Sequence, residues 1–172
     1  ASERRRSPVS REEGRRRLID ATIALCLDRP FDEVSVREIA RAADVNHGFV
    51  HTWFGGKAGL AVTVCDHLAA RLAAQVDAGR FAAGVFVDPE TVLVVRLLAW
   101  LQSDESAAAL AAERDLPLIT FGRTVFEQVY GFDAPTAATL ADMSAAMVFG
   151  WILLGRGMGL RSEEHTSELQ SR

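Results

Sequence analysis

SVREIARAADVNHGFVHTWFGGK, residues 35–57, is the stretch of sequence that decides the fold. It opens with Ser35 and Glu38 at the spacing of a capping box, in which the hydroxyl accepts from a backbone N–H and the carboxylate reaches back to the cap. Apolar residues then recur at helical spacing and predict one buried stripe, formed by Val36, Ile39, Ala40 and Ala43. This first part is therefore predicted to be a short amphipathic helix.

A turn and a second short helix are predicted to follow. Asp44 tolerates the left-handed backbone conformation of a turn, and Asn46 is a good N-cap residue. The second helix holds residues 47–53 and ends at Gly55-Gly56, before a longer helical pattern opens at Lys57. Two helices joined by a turn of about 3–4 residues describe a helix-turn-helix, whose second helix presents its N-terminal residues to base edges in DNA.

These residues resemble the TetR family of bacterial transcriptional repressors. The resemblance runs from about Leu18 to Leu60 and depends on several short signals in the right order. They are an amphipathic first helix, Phe31, the run from Val34 to Ala40, then Ala43, Val45, Gly48 and the ending Trp53-Phe54-x-x-Lys57-x-x-Leu60. The chain departs from the family at Asp44, Phe49 and His51, where the family has a glycine, a small polar residue and a phosphate-touching aromatic residue.

The resemblance implies a set of side chains that contact DNA: Ser35, Arg37, Asn46, His47, Phe49, His51, Thr52 and Lys57. The alternative is that these are ordinary surface residues. The apolar residues between them, such as Ile39 and Val50, are predicted to be core and not contacts. Lys57 would oppose the dipole of the helix that it opens unless a phosphate is near, which favours contact with DNA.

The charge distribution indicates that a polyanion such as DNA would bind at the N-terminal end of the chain. The formal net charge is −4, yet residues 1–60 carry 11 Lys and Arg against 9 Asp and Glu, whereas the other 112 residues carry 8 against 14. Binding to nucleic acid depends mainly on neutralised phosphates. Most of the excess is predicted to lie in a flexible basic arm, residues 1–14, and the first turns after it: Arg4, Arg5, Arg6, Arg11, Arg15, Arg16 and Arg17. The arm either contacts phosphates or is merely solubilising.

The rest of the pattern is helical, and the chain is predicted to be all-α. Helices are expected from Lys57 past Val76, over residues 90–102, 106–114 and 118–130, and over residues 135–157. No segment alternates with period two for long enough to demand a sheet. We expect a three-helix DNA-binding domain over residues 15–58 and a helical ligand-binding and dimerisation domain over residues 59–160.

The last predicted helix carries an apolar stripe at heptad-like spacing: Leu140, Met143, Met147, Trp151 and Leu154. A helix that is apolar all round must be covered on several sides. A membrane span is the alternative, but it needs about 20 uninterrupted apolar residues, and Arg156 breaks this run. The resemblance implies that a second subunit supplies the cover through Leu140, Trp151 and Leu154. A symmetric dimer would suit a palindromic operator, with recognition helices about 34–36 Å apart.

The domain after residue 58 has enough large side chains to line an apolar cavity. Candidate lining residues are Trp100, Phe121, Phe126, Met143 and Met147, and the alternative is a plain hydrophobic core. The resemblance implies a small-molecule effector that reorients the two DNA-binding heads. We expect that effector to be largely apolar.

Residues 161–172 differ in pattern from everything before them. Residues 161–171 match the in-frame translation of a common sequencing adapter, so we expect a non-native tail and a natural protein that continues beyond Leu160. The resemblance implies a further helix there, whose absence would truncate the dimerisation domain. Long-read resequencing of the gene checks this expectation.

Other functional classes find little support in the sequence. It contains no nucleophile elbow, phosphate loop or His-Glu metal helix, so we expect neither an enzyme nor a bound metal or cofactor. Cys26 and Cys65 lie in apolar stretches, as expected of core residues in a reducing, cytoplasmic compartment. The alternative to a DNA-binding regulator is a helical adaptor or ligand carrier that does not bind specific DNA.

Overall fold

The structure is a computed structural model that describes residues 10–77, 88–103, 107–109 and 117–155. Within these ranges the chain is helical and contains no strand, which confirms the all-α prediction. A 3-10 turn, Phe31–Glu33, precedes the second helix. The helices are α1 (Arg11–Asp28), α2 (Val36–Ala42), α3 (Gly48–Phe54), α4 (Lys57–Asp77), α5 (Pro89–Gln102), α6 (Pro117–Gln128) and α7 (Ala134–Leu154).

Side-chain caps set where several of these helices begin. Ser10, Asp88 and Asp133 each accept from the backbone N–H three residues on, at 3.2, 2.9 and 2.8 Å. Ser35 and Glu38 form the predicted capping box at the start of α2. Because a cap satisfies donors that the first turn leaves unpaired, each of these residues fixes a helix start.

The turn between α2 and α3 has the predicted conformation. Asp44 is the one non-glycine residue with positive φ among the described residues, at 53°, and Gly55 ends α3 at φ 76°. The Asn46 side chain accepts from the Gly48 N–H at 2.8 Å, although the helix itself begins one residue later than expected, after His47. Local turn chemistry therefore builds the helix-turn-helix.

One continuous core joins the N-terminal helices to α4 and α5. Its largest fully buried side chains include Leu18, Ile39, Leu60, Leu97 and Leu101. A single polar residue lies among the largest of them, Thr22, and its hydroxyl donates to the Leu18 carbonyl. Helix α4 therefore runs directly from the helix-turn-helix into the part of the core that it shares with α5.

Helices α6 and α7 pack against each other as an antiparallel pair. A Cβ built on Gly122 would lie 3.3 Å from the Ala141 Cβ, so the two backbones approach closely there. The opposite face of α7 is uncovered within one chain, and Met143 and Met147 are 64% and 67% exposed. The described residues therefore do not supply the expected burial on two sides.

Helix α7 also bears on the membrane alternative. Its 21 residues are long and apolar enough to cross a membrane by length and composition, with 17% of the most apolar window buried. A single helix of this kind is weak evidence for a membrane span, and Asp142 interrupts its apolar run. The helix packs on α6 and buries Ala137, Ala141 and Ile152 against the rest of the chain.

Several predicted boundaries differ from the structure. Helix α1 already begins at Arg11, capped by Ser10, so residues 11–14 are helical and do not belong to a flexible arm. Helix α7 ends at Leu154 and not at residue 157. Of the helix predicted over residues 106–114, only residues 107–109 are described, and these are helical. Residues 1–9 and the tail from residue 161 lie outside the described residues.

Candidate nucleic-acid interface

Helix α3 turns one face to the core and another to solvent. Val50 is buried in the core, whereas Phe49 and the polar side chains around it are exposed. The exposed predicted contacts on this helix and its leading turn are Asn46, His47, Phe49, His51 and Thr52. The structure therefore leaves all five of these side chains exposed, and we call this set of residues the α3 face.

Two aromatic rings stack along α3. Phe49 and Trp53 are one helical turn apart, their ring centroids lie 4.3 Å from each other, and the planes differ by 2°. The Phe49 ring is 42% exposed, and Trp53 packs partly against the core. An apolar ring in a fixed orientation thus lies among the polar groups of the α3 face.

Arg15 holds the C-terminal end of α3 in place. Its guanidinium donates to the Trp53 carbonyl and lies over the Phe54 ring, 4.4 Å from the centroid. The sequence analysis grouped Arg15 with a basic arm that either contacts phosphates or is solubilising, whereas the structure shows its guanidinium bonded within the protein. Its position in the N-terminal half of α1 gives no local sign of a partner 38 residues away.

The neighbouring arginines of α1 also have partners within the chain. Arg16 and Arg17 both pair with Glu13, at 2.7 and 2.8 Å. These bonds lower the pKa of Glu13, with the Arg17 hydrogen bond as the largest cause. Such exposed pairs on one helix remain accessible to phosphates, and the single carboxylate of Glu13 offsets only part of the charge of the two arginines.

The start of α2 presents Ser35 and Arg37. Arg37 is exposed, as a phosphate contact requires. Both donors of Ser35 are engaged by Glu38: the N–H donates to Oε2 at 2.9 Å and the hydroxyl at 2.8 Å. These bonds and an ion pair with Arg29 lower the pKa of Glu38 to about 2, with the Ser35 N–H as the largest cause. A phosphate at Ser35 would therefore meet a carboxylate.

Lys57 occupies a different environment from the one expected. Its Nζ donates to the Phe31 carbonyl at 2.7 Å and lies 4.5 and 5.5 Å from the ring centroids of Phe31 and Trp100. The two rings meet edge to face at 4.7 Å. Burial is the largest influence on this ammonium and lowers the pKa of Lys57.

The sequence analysis expected a nearby phosphate to offset the unfavourable position of Lys57 in the helix dipole, and the structure corrects this expectation. The positive charge at the start of α4 is balanced by backbone carbonyls and aromatic faces, so no phosphate is needed to explain it. Lys57 is also the one lysine in a sequence whose other basic side chains, apart from histidine, are arginines. A compact ammonium suits the space between two rings, where a planar guanidinium would not fit in the same way.

The side chains predicted to line a ligand cavity have different surroundings among the described residues. Trp100 packs on Phe31, while Phe126 lies beside Tyr130 and Phe132 at ring distances of 5.8 and 6.3 Å. Met143 and Met147 lie on the uncovered face of α7, and Phe121 is on α6. Among the described residues, a depression does lie between α4 and α5, lined by Leu68, Ala69, Leu72, Asp88, Glu90, Thr91 and Val94.

The N-terminal part of this chain is similar to known proteins. Residues 18–64 match the family described as bacterial regulatory proteins, tetR family. An HTH-type transcriptional repressor of Mycobacterium tuberculosis is 39% identical over 72 residues, which cover 42% of this chain and 38% of the relative. An HTH-type transcriptional regulator of Mycobacterium bovis matches to the same extent. The matched segment thus spans well under half the length of these relatives.

Comparison with solved structures found weaker similarities. The TetR family repressor AlkX from Dietzia sp. strain DQ12-45-1b has a TM-score of 0.49 and 19% identity, covering 88% of this chain and 86% of that one. A possible TetR family transcriptional regulator from Streptomyces coelicolor has a TM-score of 0.46 and 22% identity, covering 81% and 69%. The helix-turn-helix of residues 35–57 and the match over residues 18–64 show that the N-terminal part of this chain is similar to the tetR family of bacterial regulatory proteins.

Proposed function

We propose that this protein is a transcriptional repressor that binds a palindromic operator as a homodimer in the cytoplasm and releases it on binding a small apolar ligand. The observation that carries the proposal is the α3 face, whose side chains project from a short helix fixed by a buried core. The second helix of a helix-turn-helix enters the major groove in this way. The name of the Mycobacterium tuberculosis relative, a repressor, supports the direction of control.

The DNA-binding part of the proposal is tested by selection followed by titration. Purified protein would be used to select fragments of the source genome, and the recovered site would be compared with a scrambled duplex by gel shift at about 50 and about 200 mM salt. We expect a recovered palindrome, tighter binding to it than to the scrambled duplex, and a steep loss of affinity with salt. Equal affinity for both duplexes would show an adaptor or carrier instead.

Two substitutions separate phosphate contacts from base contacts. Arg37→Ala should weaken binding to the palindrome and the scrambled duplex alike, because a phosphate contact carries no sequence information. His47→Ala should weaken binding to the palindrome alone. Lys57 is a poor choice for this purpose, since its ammonium supports the fold.

The homodimer part of the proposal is supported by the uncovered face of α7. Its exposed large apolar side chains include the predicted interface residues Trp151 and Leu154, which are 40% and 59% exposed. Contiguous apolar surface of this kind marks an interaction site or a membrane contact. Sedimentation in detergent-free buffer distinguishes a homodimer from a membrane contact. A homodimer forms without lipid and sediments with the mass of two chains.

The effector part is supported only by the apolar character of the helices after residue 58. A panel of uncharged aliphatic and aromatic compounds would be added to the complex of protein and selected operator. We expect at least one compound to release the DNA while leaving the helical content unchanged. A complex that resists the whole panel would argue for regulation without an apolar ligand.

A further inference from the structure

We propose that Phe49 selects thymine in the operator by contact with the C5-methyl group in the major groove. This inference rests on the proposed function, since it requires that α3 enters the groove. It names the chemical feature of DNA that the α3 face recognises, and it assigns the recognition to one side chain.

The position of Phe49 meets the geometric requirement for reading a base. It is the second residue of α3, and the N-terminal residues of a recognition helix are those that contact base edges. Its neighbour Val50 is 1% exposed, which fixes the rotation of the helix about its axis. With Val50 held in the core, the ring of Phe49 projects from the head at 42% exposure.

The ring is also held in one orientation before any ligand arrives. It stacks on Trp53 with planes 2° apart, and Trp53 packs partly against the core. The Trp53 carbonyl in turn accepts from Arg15, which is anchored on α1. A side chain that is ordered in the free protein loses less conformational entropy on binding, so its contact contributes more fully to affinity.

The chemistry of the ring leaves one feature of the major groove as its partner. A phenyl group has no hydrogen-bond donor or acceptor, so it cannot satisfy the edges of guanine, adenine or cytosine. The thymine C5-methyl is the apolar group that the groove displays, and phenylalanine is among the residues that contact it. Hydrogen bonding to other bases is left to the polar members of the α3 face, His47, His51 and Thr52.

The test removes the methyl group from the DNA without changing base pairing. Each thymidine of one operator half-site is replaced in turn by deoxyuridine, with the symmetric position replaced as well. Burying one methyl group corresponds to about a fourfold change in affinity. We therefore expect the wild-type protein to lose about fourfold per methyl at one position or two adjacent positions, and to keep its affinity at the others.

Protein variants assign this sensitivity to Phe49. Phe49→Ala should bind the operator more weakly and show no further loss with deoxyuridine at the sensitive position. Phe49→Leu, which keeps an apolar side chain, should retain part of the sensitivity. His51→Ala should retain all of it, and Leu27→Ala, at an equally exposed apolar position on α1, should behave as wild type. Circular dichroism checks that each variant is folded.

The outcomes separate this inference from the proposed function. Selective binding with no deoxyuridine effect, or an effect that persists in Phe49→Ala, would overturn the role of Phe49 and leave the repressor intact. Failure to prefer any recovered palindrome would overturn the proposed function and this inference with it. An operator that regains affinity when 5-methylcytosine replaces cytosine at the sensitive position would confirm that the methyl group itself is read.

Discussion

Glu38 shows how one side chain links a helix start to solution conditions. Its carboxylate accepts from the Ser35 N–H and hydroxyl and pairs with Arg29 at 3.2 Å. Each of these interactions favours the charged form, which is why the pKa of Glu38 falls from 4.5 to about 2. A group with a lowered pKa in the folded state stabilises the fold above its ordinary pKa and loses that contribution as pH falls.

We therefore expect Glu38→Gln to be less stable than wild type at neutral pH. The gap between the two proteins should narrow as pH falls from 4.5 towards about 2, because the wild-type carboxylate becomes protonated over that interval. Urea unfolding of both proteins at a series of pH values measures this difference in the free energy of unfolding. Asp20→Asn, which alters an exposed carboxylate on α1, is the control. A gap of constant size down to pH 2 would contradict the assignment.

Lys57 is the second residue whose local role is testable. Lys57→Met keeps an apolar stem of similar length and removes the ammonium, so the hydrogen bonds to the Phe31 and Asp32 carbonyls are lost. Because bonds to charged groups contribute more than neutral ones, we expect a loss of about 1–2 kcal/mol in the free energy of unfolding. Arg41→Met removes an exposed cation and should cost far less. Equal losses of unfolding free energy in Lys57→Met and Arg41→Met would show that the Lys57 ammonium does not stabilise the fold.

At the scale of elements, the junction of α3 and α4 allows no added volume. A Cβ on Gly59, in the first turn of α4, would overlap the Phe54 carbonyl at the end of α3. The two helices therefore approach at a point where only glycine fits. That contact keeps α3 at a fixed angle to the helix that leads into the second domain.

Gly59→Ala should destabilise the head, although alanine is the better helix former. We expect a loss of about 1–3 kcal/mol, because overpacking outweighs the gain of about 1 kcal/mol in helix propensity. Thermal unfolding followed by circular dichroism measures the change. Ala24→Gly, at an exposed site on α1, makes the opposite exchange and should also destabilise, by about 1 kcal/mol. A Gly59→Ala variant that is more stable than wild type would refute the close approach.

At the scale of the whole molecule, α7 carries an apolar face that the described residues leave exposed. Met143, Met147 and Leu154 are each more than half exposed on this helix. Covering them with an identical face is the simplest closed arrangement, since a twofold axis pairs the same surface of both subunits.

Met147→Glu should abolish self-association, because two carboxylates would face each other in an apolar interface. We expect a single monomeric species by analytical ultracentrifugation and weaker operator binding, while the helical content stays unchanged. Leu27→Glu introduces the same charge at an exposed apolar position on α1 and should leave the mass of the dimer unaltered. If both variants remain dimeric, the α7 face is not the interface.

Much of the head could be predicted because its signals are local. The capping box of Ser35 and Glu38, the left-handed Asp44 and the terminating Gly55 each act within a few residues, and all three are confirmed. Local patterns also predicted α4 and α5 closely.

The interactions that were missed join distant parts of the chain. Lys57 meets Phe31 across 26 residues and Arg15 meets Trp53 across 38, and no local pattern predicted either partner. The exposure of Met143 and Met147 was missed for a similar reason, since apolar composition does not say whether a side chain faces inward or outward. Packing between helices decides the partners of these cations and the exposure of these methionines. That packing does not show as a short pattern in a single sequence.

The two buried cysteines have a practical consequence. Burial raises the pKa of Cys26 to about 11 and that of Cys65 to about 12, so neither side chain is a thiolate at neutral pH. A substitution such as Ala42→Cys, at an exposed site of the head, would then supply the only readily reactive thiol. A spin label attached there would report the distance between the two heads of a dimer, with and without DNA, in an otherwise unaltered protein.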